Sequence, residues 1–272
     1  MGKSFRKQKT YLLKIFVGGL LAFGFPVALF AGSTVLINES FENYPVGSNP
    51  AQGEPSDGNP LPWVVHQSKG SSVDPFQVVE GESPNGMEPN KKVLQLHYDS
   101  IKSGFGFHRL FPDVHTSEKD AILELKCKVR LVRFTDDSDY VLGILGDDPK
   151  GITVAPVRLL IRQVGRKCGF EAYSGKEDAL DPTDMVKTVF SNLPIYEGEW
   201  YGIDIKVDLK TKLWSVVISL LTGSGEESVS AKDLRLIGDT DAFTGVVFHR
   251  RSSSAYQLNH QLDDVVVTLE EP

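Results

Sequence analysis

From residue 34 onward, apolar and polar side chains alternate with a period of two through much of the chain. The stretch 121–131 shows this best. Leu123, Leu125, Cys127, Val129 and Leu131 fall on one side, and Glu124, Lys126, Lys128 and Arg130 on the other. Residues 200–210 repeat it, with Tyr201, Ile203, Ile205, Val207 and Leu209 opposed to Asp204, Lys206 and Asp208. Alternation of this kind predicts half-buried strands, because successive side chains leave a strand on opposite faces. Lys210-Thr-Lys predicts a hairpin turn into 213–221, a segment apolar on both faces and therefore expected to be central or covered on both sides.

Further strands are predicted over 93–98, 104–110, 140–145, 157–163, 168–173, 243–249 and 262–269. Turn residues punctuate them at Gly146-Asp-Asp-Pro149, Gly165-Arg-Lys167 and Gly223-Ser-Gly225. No segment carries a capped period of 3.6 residues. Residues 181–190 open like a helix (Asp181-Pro-Thr-Asp) but read equally as a loop running into a strand. Many short strands with turn chemistry between them predict an all-β antiparallel sandwich. There is no internal repeat, and the Pro- and Gly-rich stretch 44–59 is too short to separate domains, so 34–272 reads as one domain.

The first 33 residues follow another logic. Lys3, Arg6, Lys7, Lys9 and Lys14 precede the uncharged run 15–30, and small residues follow at Ala31, Gly32 and Ser33. A basic segment, an apolar segment and a small-residue exit make a secretory signal peptide, expected as a helix over 1–33 with cleavage after Ser33 or after Ala31. The competing reading is an uncleaved anchor, but the run sits at the short edge of a bilayer span and is diluted by Gly18, Gly19, Gly24 and Pro26. The expected location is secreted, periplasmic or at the cell surface. No second long apolar run follows, so no membrane contact is expected after cleavage.

Composition adds limits. The 272 residues carry 29 Lys+Arg and 36 Asp+Glu, a formal charge of −7. Removing the five basic residues of the leader leaves 24 basic and 36 acidic, a net of −12. Nucleic acid and other polyanions are thereby disfavoured as partners, unless a local basic patch overrides the average. The six histidines have no zinc-like spacing. There is no Gly-x-Ser-x-Gly elbow, no P-loop and no dinucleotide fingerprint. Two cysteines, Cys127 and Cys168, either pair in an oxidising compartment or stay as buried thiols.

Three pieces carry a resemblance: Glu39-Ser-Phe-Glu-Asn-Tyr-Pro-Val-Gly47 followed by Trp63, the run from Gly198 to Trp214, and Gln261-Leu-Asp-Asp-Val-Val-Val-Thr268. Together they resemble the concanavalin A-like (laminin G-like) jelly-roll domains of secreted bacterial proteins, over nearly the whole chain past the leader. The resemblance implies an antiparallel jelly-roll β-sandwich with its first and last strands side by side. That fold hosts lectin-like modules, glycoside hydrolases, polysaccharide lyases and structural modules, so function has to be argued from the site.

The resemblance also suggests chemistry. A structural Ca²⁺ often ties the two termini in similar jelly rolls, which makes Glu39, Glu42, Asp263 and Asp264 candidate ligands; a solvated turn is the simpler alternative. Glu118-Lys-Asp-Ala-Ile-Leu-Glu124 matches the longer form of a motif that retaining β-glucanases of the superfamily carry on a strand, with Glu118, Asp120 and Glu124 as its carboxylates. The chemistry needs two carboxyls ~5–5.5 Å apart. Six strand residues at ~3.3 Å each separate the two Glu Cα atoms by ~20 Å, so a polar turn leading into a strand is the plainer reading.

The last candidate is a sugar-binding surface of His108, Arg109, His249, Arg250, Tyr256, Asn259 and His260. Rings stack on sugar C–H faces, and planar polar groups bind hydroxyls. The expected function is a non-catalytic carbohydrate-binding or adhesion module with a neutral glycan or cell-surface polymer as partner. The alternatives are a glycoside hydrolase or polysaccharide lyase on the same fold, and a structural or assembly module.

Overall fold

The computed structural model describes residues 32–52, 61–67, 76–81, 91–98, 105–116, 120–133, 139–147, 154–164, 167–176, 185–221, 227–250 and 258–271. Among these, one 3-10 turn (Pro50–Gln52) accompanies fifteen strands. They are β1 (Gly32–Glu39), β2 (Trp63–Gln67), β3 (Phe76–Gly81), β4 (Lys91–Tyr98), β5 (Phe105–His115), β6 (Ile122–Arg133), β7 (Asp139–Gly146) and β8 (Val154–Val164). The rest are β9 (Lys167–Gly175), β10 (Met185–Val189), β11 (Trp200–Asp208), β12 (Leu213–Leu220), β13 (Ser228–Arg235), β14 (Ala242–Arg250) and β15 (Leu258–Glu271).

The strands form two antiparallel sheets. One runs β13-β12-β11-β6-β15-β4-β3, with β1 also paired to β15; the other runs β10-β9-β8-β7-β14-β5-β2. The last strand is central to the first sheet. It pairs with β6 over residues 259–270, while its opposite edge pairs with β4 over residues 258–262 and with β1 over residues 265–271. The first and last strands therefore lie side by side, as the resemblance implied.

Alternation does what the sequence predicts. Leu123, Leu125, Cys127, Val129 and Leu131 of β6 and Ile203, Ile205 and Val207 of β11 turn into the core. From the other sheet Leu142, Ile144, Val157, Leu159, Phe170, Val246 and Phe248 meet them. At one margin Phe76 of β3, Phe107 of β5 and Trp63 of β2 form a stack that crosses between the sheets, with ring centroids 5.0 and 4.3 Å apart. At the other margin the Arg235 N–H donates to Ser174 Oγ at 2.8 Å and ties β13 to β9.

Of the two readings left open for residues 181–190, their described part, 185–190, holds a strand, β10. One expectation changes. Strand β12 is not covered on both faces. Trp214, Val216 and Ile218 are buried, but Val217 on the other side is 41% exposed. The outward face of β12 carries one large apolar residue between Ser215 and Ser219, which needs no second layer. Residues 1–31 of the expected leader, 1–33, lie outside the described residues, and its last two, Gly32 and Ser33, open β1.

Candidate functional site

Several of the expected site residues lie inside the protein. Arg109 and Glu39 are each 0% exposed, and Arg109 Nη1 lies 3.2 Å from Glu39 Oε2. The pair joins β5 of one sheet to the end of β1 in the other. Glu39 also accepts from the Phe41 N–H (2.9 Å), Trp63 Nε1 (3.2 Å) and the Tyr44 hydroxyl (3.3 Å). Arg109 Nε donates to the Leu61 carbonyl at 3.1 Å, and its guanidinium lies 5.5 Å from the Trp63 ring centre. Every charge here is met by protein, so Arg109 is not part of a sugar-binding surface. His260 is also fully buried and meets the Tyr140 ring edge-on, at 3.9 Å between centroids. It sits in the core because β15 alternates and Leu262, the next residue on the same face, is core as well.

The terminal carboxylates do not converge on one centre. Glu42 accepts from the Lys92 N–H at 3.2 Å, and Lys92 Nζ donates to the Glu42 and Tyr44 carbonyls. Asp263 and Asp264 occupy the seam where the edge of β15 passes from β4 to β1, and the ladder is bulged there between Asp263 and Val266. Asp264 adopts φ 47°, which turns its carboxylate toward Lys128 Nζ at 2.6 Å and Lys91 Nζ at 3.4 Å. Lys91 Nζ also lies 2.7 Å from Asp263 Oδ2. A hard cation wants 6–8 oxygen ligands. Here lysine ammonium groups already stand against the seam carboxylates, and Glu39 is committed to Arg109. Among the described residues no three His, Cys, Asp or Glu side chains are grouped to hold a metal ion. Glu39, Glu42, Asp263 and Asp264 do not fit the calcium site that the resemblance suggested.

The seam has a pH signature. Burial, as the largest cause, pushes the Asp263 carboxyl up to about 6 from its ordinary 3.8, against the pull of Lys91. The folded state therefore holds a proton that the unfolded chain releases near pH 4. This group's contribution to stability is highest below pH 4 and falls as pH rises to about 6. Asp263→Asn removes the titration. Its stability relative to the parent is expected to climb between pH 4 and 6, by at most ~1.4 kcal/mol per pH unit, and to level off above that. Urea melts at matched pH values check this, and a difference flat across the window contradicts it.

The two described carboxylates of the Glu118–Glu124 motif are each held by lysines. Glu118 lies outside the described residues. Asp120 is exposed and pairs with Lys210 at 2.5 Å. Glu124 faces outward from the eight-stranded sheet, held by Lys126 Nζ at 2.7 Å and Lys206 Nζ at 2.9 Å. These lysines hold the Glu124 carboxyl below its ordinary range despite burial. Asp204, in register with Lys126 on the neighbouring strand, is instead raised by burial first and by the Glu124 charge second. Glu124 is thus one member of a balanced charge ladder across β6 and β11. Of the two states left open for the cysteines, the structure shows Cys127 as a free, buried thiol whose ionisation burial pushes far up. The Cys168 side chain lies outside the described residues.

Two expected residues do share a face. His108 and His249 point outward from the seven-stranded sheet, on neighbouring strands β5 and β14. Asn259 faces out of the other sheet, since it precedes the inward His260. The Arg250 side chain and Tyr256 lie outside the described residues.

Register shows what else that face carries. Lys187, Tyr173, Arg158, Gly143, Val247, His108 and Val64 are consecutive partners across all seven strands. The adjacent row contains Val189, Glu171, Leu160, Val141 and His249. Core residues flank the row positions on β7, β8 and β14, so both rows lie on the side of the sheet away from the core, although Glu171, Leu160, Val141 and His108 are themselves buried there. Gly143 has no choice of side chain, because a Cβ there would meet the Val157 carbonyl oxygen. Around Glu171 the groups are fixed to one another. The Tyr173 hydroxyl donates to Glu171 Oε2 at 2.9 Å, Lys187 Nζ lies 3.2 Å from Oε1, and Arg162 Nη1 stands 4.0 Å from Oε2. Sequence reading missed this cluster. Its signal was the spacing of Arg158 with Arg162 and of Glu171 with Tyr173, each pair on one face of a strand.

No protein-family model matches the chain, and none of the curated proteins matches it. Solved structures do. A carbohydrate esterase from Shiga toxin-encoding bacteriophage phi24B aligns with TM-score 0.53 at 11% identity, over 89% of this chain and 100% of that one. The catalytic domain of a glycoside hydrolase family 131 protein from Coprinopsis cinerea aligns with TM-score 0.51 at 12% identity, over 86% and 93%. Peanut lectin aligns with TM-score 0.49 at 13% identity, over 88% and 98%. The likeness covers most of the chain, and the chain has the concanavalin A-like jelly-roll fold.

Proposed function

We propose that the protein is a non-catalytic carbohydrate-binding or adhesion module. Its binding surface is the outer face of the seven-stranded sheet, and its leader delivers it to the cell exterior. One observation carries the reading: an outward row in register across all seven strands, with an aromatic ring flanked by long polar groups. Tyr173 is half-buried and its hydroxyl is engaged by Glu171, so the ring is held in place to stack on a sugar. Arg158 and Lys187 flank it on the neighbouring strands and reach hydroxyl and acid groups of a polymer lying along the row. The phage esterase and the fungal hydrolase are named for carbohydrate chemistry, which is further support.

The test is a glycan array spanning neutral and acidic saccharides, probed with the purified protein and with Tyr173→Ala. Binding is expected for the parent, and the substitution is expected to weaken it about tenfold, the size of one well-placed aromatic contact. A parent protein that binds no glycan of either kind overturns the reading.

A further inference from the structure

The seam where β4, β6 and β15 meet buries an amine against a carboxyl group. The Lys91 side chain is 10% exposed and that of Asp263 is 0% exposed, with Lys91 Nζ 2.7 Å from Asp263 Oδ2. Close as the contact is, neither Asp263 oxygen is in a well-formed hydrogen bond. By contrast Lys126 and Lys206, the partners of Glu124, are 52% and 49% exposed. The seam pair is therefore shielded from water in a way that those surface pairs are not.

A second carboxylate stands against the same amine. Asp264, at φ 47°, sets both its oxygens 3.4 Å from Lys91 Nζ, and Lys128 Nζ fixes it from its own side at 2.6 Å. At rest the amine is charged. Burial works against that charge, but Asp263 and Asp264 outweigh it and hold the proton on Lys91. Burial also lifts the Asp263 carboxyl to about 6, so this carboxyl takes up a proton more readily than an ordinary one. One proton passed across the 2.7 Å contact makes both groups neutral, and a neutral amine beside a neutral carboxyl is the reactive pair for amide formation.

We propose that Lys91 and Asp263 condense into a side-chain amide, an isopeptide bond that joins β4 to β15. The bond from Nζ to the Asp263 Cγ forms and one Cγ–O bond breaks. Of the three protons on the ammonium group, one stays on the amide nitrogen and two leave with the oxygen as water. Asp264 is the catalytic residue. It takes a proton from Nζ as the bond forms and returns it to the departing oxygen, ending in the state in which it started. No other reactant enters. Groups held in contact react as if at roughly 10⁵–10⁸ M, and burial keeps out the water that would reverse the step.

Lys91 opens β4 and Asp263 lies in the last strand, so strands β5 to β14 all fall between the two ends of the bond. A cross-link stabilises more as the loop it closes lengthens. The pH signature of Asp263 belongs to the unreacted pair and disappears once the bond has formed.

Intact-mass spectrometry of the purified, denatured protein reads the step directly. The parent is expected to weigh about 18 Da less than its chain, one water, and its tryptic digest to contain a branched peptide joining Lys91 to Asp263. Lys91→Arg and Asp263→Ala are each expected to restore the full mass and to melt about 10 °C or more below the parent. Asp264→Asn keeps a residue that tolerates positive φ, and it is expected to fold and to stay largely at full mass.

A parent at full mass overturns the proposal, whatever the variants do. A lost water that maps to another pair of residues overturns it as well. Asp264→Asn that reacts as completely as the parent overturns the proton relay. The carbohydrate-binding reading is independent of this bond and is decided by the glycan array.

Discussion

Arg109→Met is expected to lower the stability of the sandwich by about 3–5 kcal/mol, the usual result of stripping one partner from a buried ion pair. For a domain of this size that is a drop in melting temperature on the order of 10 °C. The cause lies in what remains. Glu39 is fully buried and would be left with the Phe41, Tyr44 and Trp63 donors but without the Arg109 guanidinium. Glu39→Gln makes the reciprocal case, leaving the Arg109 guanidinium buried against Leu61 and the Trp63 ring. The double variant Glu39→Leu/Arg109→Met is expected to recover only part of the loss. It removes both charges but orphans the Phe41 and Trp63 N–H groups that Glu39 now satisfies. Chemical denaturation of the three variants decides the matter. Single variants within about 1 kcal/mol of the parent would mean that water reaches the pair and screens it.

Trp63→Ala is the second large effect, about 3–5 kcal/mol. The indole is 1% exposed and stacks on Phe107 with centroids 4.3 Å apart, so its removal opens a void where β2, β3 and β5 meet. Trp63→Phe keeps a ring against Phe107 and loses the indole N–H to Glu39, for an expected cost of about 1–2 kcal/mol. The gap between these two substitutions measures packing apart from hydrogen bonding. Because Trp63 touches both Glu39 and Arg109, its effects will not add to theirs. Equal losses from Trp63→Ala and Trp63→Phe would assign the effect to the hydrogen bond instead.

The parts of the fold legible in the sequence are those where burial on one face writes itself as alternation. Strands β6 and β11 were readable almost to their ends because Leu, Ile and Val alternate there with Lys, Asp and Glu. Strand β13 was not, since Ser228-Val-Ser-Ala-Lys-Asp-Leu-Arg235 lies at a sheet edge and buries only Leu234. Strand β10 was obscured in the same way, with Val186 and Val189 about half exposed on an edge. The site was harder. Arg109 was taken for a surface group because arginine is seldom fully buried, and its partner Glu39 stands 70 residues earlier. Nothing in one sequence announces a pairing at that range. His108 and His249 stand on one side of neighbouring strands, but His108 is buried there. The Tyr173 cluster was passed over because its members come from three strands, β8, β9 and β10, that meet only through sheet register.

The placement of β15 also sets a timetable for the chain's assembly. The final fourteen-residue strand is the neighbour of β6, β4 and β1 at once. While the chain is still being made, the edges that those three strands present to β15 are bare. Unpaired edges recruit other chains, and pairing across the whole length is slow to find. Completion of the eight-stranded sheet therefore waits for residues 258–271, and until then those edges stay open to other chains.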